Sequence, residues 1–295
     1  MNNSTPTVLV TGATGRIGRS VIQHLQTDPS ISLVAAVRSA TKAQAFVDQG
    51  IRTVTLDFDR PETFDSALKG VDRVFLATGY TVDMLRQSKV FLDAAKKTGI
   101  QHVVHLGACG PDDTTVAHWA WHQLVERYIE WCGFSFTHLR PEAFMQNLLN
   151  YDGTKATNGG VIQQFIGDAR ISWVDGDDVA LVASHALLRP EQHAKQTYRL
   201  GYDAKSYGEV AEIMTKVLGQ PFRYVAQPPE VFLENMRAAG AEMAYMTCVY
   251  DSFKRTANHT IPGVDDTFDN FEAITGKQPV KWETFVEKHR ALLAY

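Results

Sequence analysis

The chain reads as an α/β protein, a doubly wound parallel sheet of the Rossmann kind followed by a smaller mixed C-terminal part. Two observations predict this. From residue 1 to about 140, short apolar runs rich in β-branched residues alternate with segments of helical period, the pattern of a parallel sheet covered by helices on both faces. The first of these runs, Val8-Leu9-Val10, leads into glycines at 12, 15 and 18 and then into an amphipathic segment carrying Ile17, Val21, Ile22 and Leu25. Strand, glycine turn and helix in that order are the context a dinucleotide-binding fingerprint requires.

The same reasoning predicts strands at Thr7–Thr11, Leu33–Arg38, Thr53–Asp57, Arg73–Ala77, His102–Leu106 and Phe136–Leu139. Helices are predicted near Ile17–Thr27, Ala40–Gln49, Pro61–Leu68, Val82–Lys97 and Val116–Trp131, several stopping at a glycine (50, 70, 99 and 133). Arg140-Pro141-Glu142 then ends the sixth strand and starts a predicted helix over 142–149. Beyond it Gly153, Asn158-Gly159-Gly160 and Gly167-Asp168 mark loops, with Tyr151, Phe165 and Trp173 as candidate pocket walls. Asp177-Asp178 reads as an N-cap before Val179. Thr197–Leu200 reads as a strand, and Ser206-Tyr-Gly-Glu209 as a capping box opening a helix to about Leu218. A short strand at Phe222–Val225 and helices over 228–239 and 242–254 follow, where Met236, Met243, Met246 and Tyr250 are either core or adaptable pocket surface. The domain expectation is a dinucleotide-binding part at 1–150, with 171–202 packing back onto it. Residues 151–170 and 203–295 form a smaller substrate-binding part that closes the cleft.

Composition narrows the function classes. With 295 residues, 44% hydrophobic and 21% charged, the chain is an ordinary globular protein able to bury one large core or one core and a satellite. A net charge of −4 with no block of Lys or Arg argues against a nucleic-acid partner. No basic segment precedes an apolar run at the N-terminus, and nothing approaches the ~20 apolar residues of a membrane span, so no membrane is expected and the expected location is cytoplasmic. Cys109, Cys132 and Cys248 are scattered and odd in number, the usage of reduced structural thiols.

In a doubly wound sheet the ligand crevice lies outside the carboxyl ends of the strands, so the residues just after each strand are the candidate site. After the first strand come Thr11, Gly12, Thr14, Gly15, Arg16 and Ile17. Gly12 permits the tight turn, Gly15 lets backbone approach a pyrophosphate, and Gly18 allows close helix packing. The helix opening at Gly15 offers unpaired N–H groups and the positive end of its dipole. After the second strand stands Arg38, where an acid would bond the 2′-hydroxyl of NAD. Arg38, assisted by Arg16, can pair instead with a 2′-phosphate and lie against adenine, which puts NADP ahead of NAD. Asp57 and Phe58 follow the third strand at the adenine edge, and Ala77, Thr78 and Gly79 follow the fourth beside the riboses.

The helix after the fifth strand carries His118, His122 and Glu126 on one face. As a zinc trio they fail on length, because residues eight apart are separated by about 12 Å along the axis against ligand bonds of ~2 Å. Two readings stay open. The histidines are core or interface residues bonding a carbonyl, or His122 sits at the nicotinamide end of the crevice.

The stretches Thr11-Gly-Ala-Thr-Gly-Arg-Ile-Gly18, His122-Gln-Leu-Val-Glu126 and Phe136-Thr-His-Leu-Arg-Pro-Glu-Ala-Phe-Met-Gln-Asn147 resemble the NmrA-like atypical short-chain dehydrogenase/reductase family. So do Ile274-Thr-Gly-Lys-Gln-Pro279 and Trp282-Glu-Thr-Phe285, so that the resemblance covers nearly the whole chain. It implies that Pro141 and Phe144 line the nicotinamide and substrate region. The family includes NADPH-dependent quinone, triphenylmethane-dye and iminium reductases as well as dinucleotide-sensing regulators. Where typical short-chain reductases carry Tyr-x-x-x-Lys, this chain has His118-x-x-x-His122, which makes these two the candidate catalytic residues.

The resulting expectation is an NAD(P)H-dependent reductase, using NADPH, that transfers hydride to a planar electron-poor acceptor such as a quinone, iminium ion or dye. Such acceptors take hydride into a delocalised π-system and need positioning more than a strong proton donor. Trp119, Trp121, Phe144 and Trp173 are candidate aromatic walls for them. The alternative is a non-catalytic NADP(H)-sensing regulatory protein. No metal is expected, and an oligomer is left open.

Overall fold

The computed structural model describes residues 5–149 and 157–295; Tyr151 and Gly153, expected at the pocket wall and in a loop, lie outside the described residues. The first half of the chain runs β1 (Thr7–Val10), α1 (Arg16–Leu25), β2 (Ser32–Val37), α2 (Ala40–Val47), β3 (Arg52–Thr55), α3 (Phe64–Leu68), β4 (Arg73–Leu76), α4 (Met84–Thr98), β5 (His102–Leu106), α5 (Ala117–Trp131) and β6 (Ser135–Pro141). Next come β7 (Ala143–Phe144), β8 (Thr157–Asn158), β9 (Val161–Gln164), β10 (Ile171–Val174), α6 (Gly176–Leu188), α7 (Pro190–His193), β11 (Gln196–Leu200) and β12 (Asp203–Lys205). The chain ends with α8 (Tyr207–Leu218), β13 (Arg223–Ala226), α9 (Pro229–Ala238), α10 (Met243–Ala257), α11 (Asn270–Thr275), α12 (Trp282–Lys288) and α13 (Arg290–Leu293). Among the described residues no helix is long and apolar enough to cross a membrane.

Two compact units result, one of Met1–Ala108, Ala120–Arg140 and Val179–Tyr198, the other of Cys109–Trp119, Pro141–Asp178 and Arg199–Tyr295. The first is built on a seven-stranded sheet in the order β11-β6-β5-β4-β1-β2-β3. The six strands expected from the first 140 residues are all present, paired in parallel from β3 across to β6. The chain winds outward from β1 to β3, then returns to β4 and winds the other way, so β1 and β4 flank the topological switch point. Apolar runs form these strands because both faces are covered: Leu9, Val34, Val74, Leu76, Phe91, Leu92, Val103 and Ile129 join one buried cluster. Burying each such side chain contributes about 1.5–3 kcal/mol, the main term holding the helices to the sheet.

The second unit has two three-stranded sheets, β12-β10-β7 and β13-β9-β8. Its core centres on Trp173, which packs edge-on against Tyr207 and Trp282 with ring centroids 5.1 Å away in each case. Trp173 is fully buried and donates its Nε1–H to the Lys205 carbonyl, so it is a core residue and not the pocket wall expected of it. The capping box of α8 is present as read: the Ser206 hydroxyl accepts from Glu209 N–H, and the Glu209 carboxylate accepts from Ser206 N–H. Met236, Met243, Met246 and Tyr250 are half-buried and outside the core.

Two local expectations change. Instead of a helix over 142–149 the chain stays extended, because Glu142 N–H bonds the Leu200 carbonyl and β7 pairs in parallel with β10, Ala143 opposite Trp173. Only Met145–Leu148 coils, as one 3₁₀ turn. Asp177 and Asp178 lie inside the first turn of α6, and the cap is Asp175, whose carboxylate accepts from Asp177 N–H at 2.9 Å. Asp178 instead accepts from Val280 N–H, and burial pushes its carboxyl up to about 7.

Candidate functional site

The turn between β1 and α1 is shaped by steric need. Gly12 has φ of +60°, and a Cβ on it would lie 3.2 Å from the Ala77 Cβ. A Cβ on Gly18 would lie 2.3 Å from the Gly12 carbonyl oxygen, a backbone collision, which is why the helix can start so close beneath the turn. Gly15 is the N-cap of α1, extended at φ −76° and ψ 170°, and no side chain caps the helix. A helix start of this kind presents its positive dipole end, the arrangement that suits an anion.

Parallel pairing places the other expected cofactor residues along the same sheet edge, after β2, β3 and β4. Arg38 directly follows β2 and is exposed, as is Arg16 at the first position of α1. No carboxylate stands at the end of β2; the sequence there is Val37-Arg38-Ser39. Ala77, Thr78 and Gly79 follow β4, and the Thr78 hydroxyl is buried without a hydrogen-bond partner. A buried orphan hydroxyl beside a glycine turn, with an uncapped helix end, fits a polar ligand such as a dinucleotide. Thr11 and Ile17 complete the turn, Thr11 as a brace: its hydroxyl donates to the Phe75 carbonyl and accepts from Ala77 N–H, tying the ends of β1 and β4 together. Thr14 and Ile17 are half-buried. Phe58 is half-buried, with its ring packed edge-on against Phe64 and Phe91 of the core. Asp57 makes a local turn, its carboxylate accepting from Asp59 N–H.

The two candidate catalytic histidines fall in different units. His118, in the second, lies with its ring 5.7 Å from Tyr245 and 5.9 Å from Trp119, and burial pushes it down to about 4. His122, in the first, is half-buried with Nδ1 3.4 Å from Nε2 of His105. Pro141 is buried at the end of β6, and Phe144 is half-buried opposite Val174.

Beneath His122 lies a polar layer that sequence reasoning did not assemble. His105 and His138 are directly opposite each other on β5 and β6 and fully buried. Glu126 of α5 is also fully buried and is clasped by Arg140 of β6 through Nε–Oε1 at 2.9 Å and Nη2–Oε2 at 2.6 Å. Potential ligand atoms of His105, Glu126 and His138 lie within 4.8 Å of one another. Both carboxylate oxygens already bind a guanidinium, however, so the cluster is a neutralised buried ion pair flanked by imidazoles and not a metal cage. Burial, with Arg140 and neighbouring imidazoles adding to it, holds His105 well below the ordinary histidine range. His138 is pushed down to about 3 by burial, then by Arg127 and Arg140. The signal for this layer was polar residues inside two strands that the sheet buries, His102 and His105 in β5 and His138 and Arg140 in β6.

The fold and this turn define a protein of the dinucleotide-binding Rossmann type. The chain belongs to the NmrA-like family, whose model matches residues 4–287. It is 31% identical over 286 residues to an NAD(P)H azoreductase of Xenophilus azovorans, covering 96% of this chain and 98% of that protein. It is 27% identical over 235 residues to quinone oxidoreductase 2 of Escherichia coli strain K12, covering 79% and 82% of the two chains. Among solved structures, the triphenylmethane reductase of Citrobacter sp. complexed with NADP(H) superposes with a TM-score of 0.81 at 24% identity, over 96% of this chain and 99% of that one.

Proposed function

We propose that the chain is an NADPH-dependent reductase that delivers hydride to planar, electron-poor acceptors, with azo dyes and quinones as the substrate classes. The observation that carries this reading is the β1–α1 turn, built so that backbone and not side chains meet the ligand, with Arg38 standing where a 2′-hydroxyl-binding acid would otherwise stand. The likeness to an azoreductase and a quinone oxidoreductase supports the acceptor class.

When bound, the dinucleotide supplies the hydride. The chain's residues do the rest. The first-turn amides after Gly15 hold the pyrophosphate, and Arg38 with Arg16 neutralises the 2′-phosphate. Thr78 offers its unpaired hydroxyl to the ligand as it passes the end of β4. His122 stands nearest to chemistry, and its role is to bind and orient the acceptor. An azo bond or a quinone spreads the incoming charge over its π-system, so a positioned hydrogen-bond donor is enough where a simple ketone would need a strong acid.

The test is NADPH oxidation followed by absorbance with azo dyes, quinones, a triphenylmethane dye and an aliphatic ketone. Turnover of the planar acceptors with the ketone inert is expected. Efficient ketone reduction with the planar acceptors ignored overturns the proposal, and tight NADPH binding with no turnover on any acceptor favours the sensor reading.

A further inference from the structure

We infer that the outer face of α5 is a self-association surface, on which a second copy of this chain lays its own α5 antiparallel to the first, about a two-fold axis level with Glu126. The surface lies within the sheet unit and owes nothing to what the dinucleotide turn binds or reduces.

Large apolar side chains exposed singly on a surface are ordinary. Those on α5 are not single. Among the described residues, the exposed large apolar side chains fall on α2, the loop after β4, α5 and the C-terminal end, and α5 is the one helix that carries two. Leu124 is 58% exposed and Trp131, seven residues on, is 76% exposed. Residues seven apart stand two turns apart on one helix face. Trp121 and Tyr128 continue the same stripe and are half-buried, packed against the sheet unit's core. The Tyr128 and Trp131 rings have their centroids 5.5 Å apart, so the stripe is continuous at its C-terminal end.

The spacing says what fits this stripe. Trp121, Leu124, Tyr128 and Trp131 are three, four and three residues apart, the rhythm by which two helices pack along a seam. Three-four-three reads the same in both directions. A second α5 laid antiparallel therefore meets the first in register, with Trp121 opposite the second copy's Trp131 and Leu124 opposite the second copy's Tyr128. This is the isologous match that a two-fold axis demands, in which one patch serves both copies. Its two ends pair tryptophan with tryptophan, the residue most enriched where interfaces concentrate their energy.

Charge favours an identical copy as well. Such a copy brings identical charges, and like charges set face to face oppose association. Beside this seam they are already matched within the chain. Arg127 Nη2 lies 2.8 Å from Glu130 Oε1, and on α4 Lys89 Nζ lies 2.7 Å from Asp93 Oδ2, while Asp93 also accepts from the Tyr128 hydroxyl at 2.6 Å. These pairs carry no net charge and make a polar rim beside an apolar strip, the usual anatomy of an interface. The strip is one helix wide and, over the 15 residues of α5, about 22 Å long. That is less than the ~800 Å² per partner of a standard interface, so the dimer is reversible, with a dissociation constant in the micromolar range.

Sedimentation velocity of the full chain, run from low to high micromolar concentration, reads this directly. The wild type is expected to pass from monomer to dimer across that range. Leu124→Glu and Trp131→Glu should each weaken association at least about tenfold, with circular dichroism and Tm unchanged because both side chains stand in solvent in the single chain. Val47→Glu, at an exposed apolar position on α2, should leave the dimer as it is. Mixing tests the register. Tyr128→Lys, like Leu124→Glu, should be monomeric alone, and an equimolar mixture of the two should dimerise. The antiparallel seam sets the new carboxylate against the new ammonium at one crossing and leaves Leu124 against Tyr128 at the other. A wild type that stays monomeric at every concentration overturns the inference. So does a dimer that Leu124→Glu and Trp131→Glu leave intact, or a mixture of folded variants that fails to associate.

Discussion

Apart from the Glu126–Arg140 pair in the sheet unit and His118 in the second, the two units shift the ionisable groups they bury in opposite directions. The sheet unit buries imidazoles, His102, His105 and His138, and every one is driven toward its neutral form by burial and by nearby positive charge. The second unit buries carboxyls. Glu142, paired with Arg199 at 2.9 Å, and Asp178, bonded to Val280 N–H, are both pushed up to about 7 by burial. The units also differ in what their special backbone is for. In the sheet unit the glycines of the β1–α1 turn allow the left-handed turn at Gly12 and the close approach of α1 at Gly18, while in the second unit the comparable local device, the Ser206–Glu209 box, satisfies the helix internally. α1 starts without a side-chain cap, and α8 starts with both partners of a capping box in place.

The contrast predicts that changes at the open helix end cost binding before they cost stability. Gly15→Val is the largest of these. Its Cβ starts 3.2 Å from the Gly12 carbonyl oxygen, and the branched methyls would fill the space the pyrophosphate needs. NADPH binding by calorimetry should fall by more than about a hundredfold, given that the lost charge-assisted backbone bonds are worth 1.5–3 kcal/mol each. The circular dichroism spectrum should remain that of a folded chain. Normal binding would break the contrast by showing that the cradle lies elsewhere.

Arg38→Ala sharpens it further, because Arg38 is exposed and follows β2 with no structural bond to lose among those described. Loss of one charge-assisted pair should weaken NADPH by about ten- to a hundredfold and leave NADH nearly unchanged. Equal losses for both nucleotides would remove Arg38 from the 2′-phosphate.

The parts legible in the sequence are those governed by local need. The glycine turn could be read because only glycine fits at 12 and 18, and the six strands because continuous apolar runs have few other uses. The capping box was legible because both partners lie within four residues. What escaped reading depends on contacts distant in sequence. The extended path after Pro141 is imposed by β10, thirty residues on. Trp173 left the pocket because it meets Trp282, and His105 joined His122 only through the packing of α5 on β5. Asp175 was displaced from view by two neighbouring aspartates that made a more obvious cap.

The opposite burial of imidazoles and carboxyls makes a pH prediction with two signs. A histidine whose folded pKa is depressed is neutral inside, so its stability contribution is present above the unfolded value near 6.5 and is lost as pH falls toward the folded value, about 4 for His102 and about 3 for His138. A carboxyl whose folded pKa is raised behaves conversely. Glu142 and Asp178 contribute most below the unfolded carboxylate range, and that contribution is lost as pH rises through about 7. Thermal melts should therefore show destabilisation as pH falls below 6 that is reduced in His138→Phe, and destabilisation as pH rises from about 4 to about 7 that is reduced in Asp178→Asn. A His138→Phe profile parallel to wild type down to pH 4 would show that the imidazole is not neutral inside.

The smallest expected effect closes the contrast from the other side. Ser206→Ala removes the hydroxyl that accepts from Glu209 N–H at 3.2 Å, at the start of a helix whose Tyr207, Val210, Ala211 and Met214 are buried in the second unit's core. The loss of an N-cap costs about 1 kcal/mol, and Glu209 keeps part of the motif through its bond to Ser206 N–H at 2.8 Å, which survives the substitution. For a chain of this size that corresponds to a fall in Tm of roughly 2–4 °C. NADPH affinity should stay the same, since the capped helix uses its amides internally and offers none to a ligand. A Tm loss at Ser206 with affinity intact, against an affinity loss at Gly15 with the fold intact, is the pair of outcomes that separates a helix end built for stability from one built for binding. If Ser206→Ala weakened NADPH as much as Gly15→Val, the two helix ends would share one site and the division of labour between the units would fall.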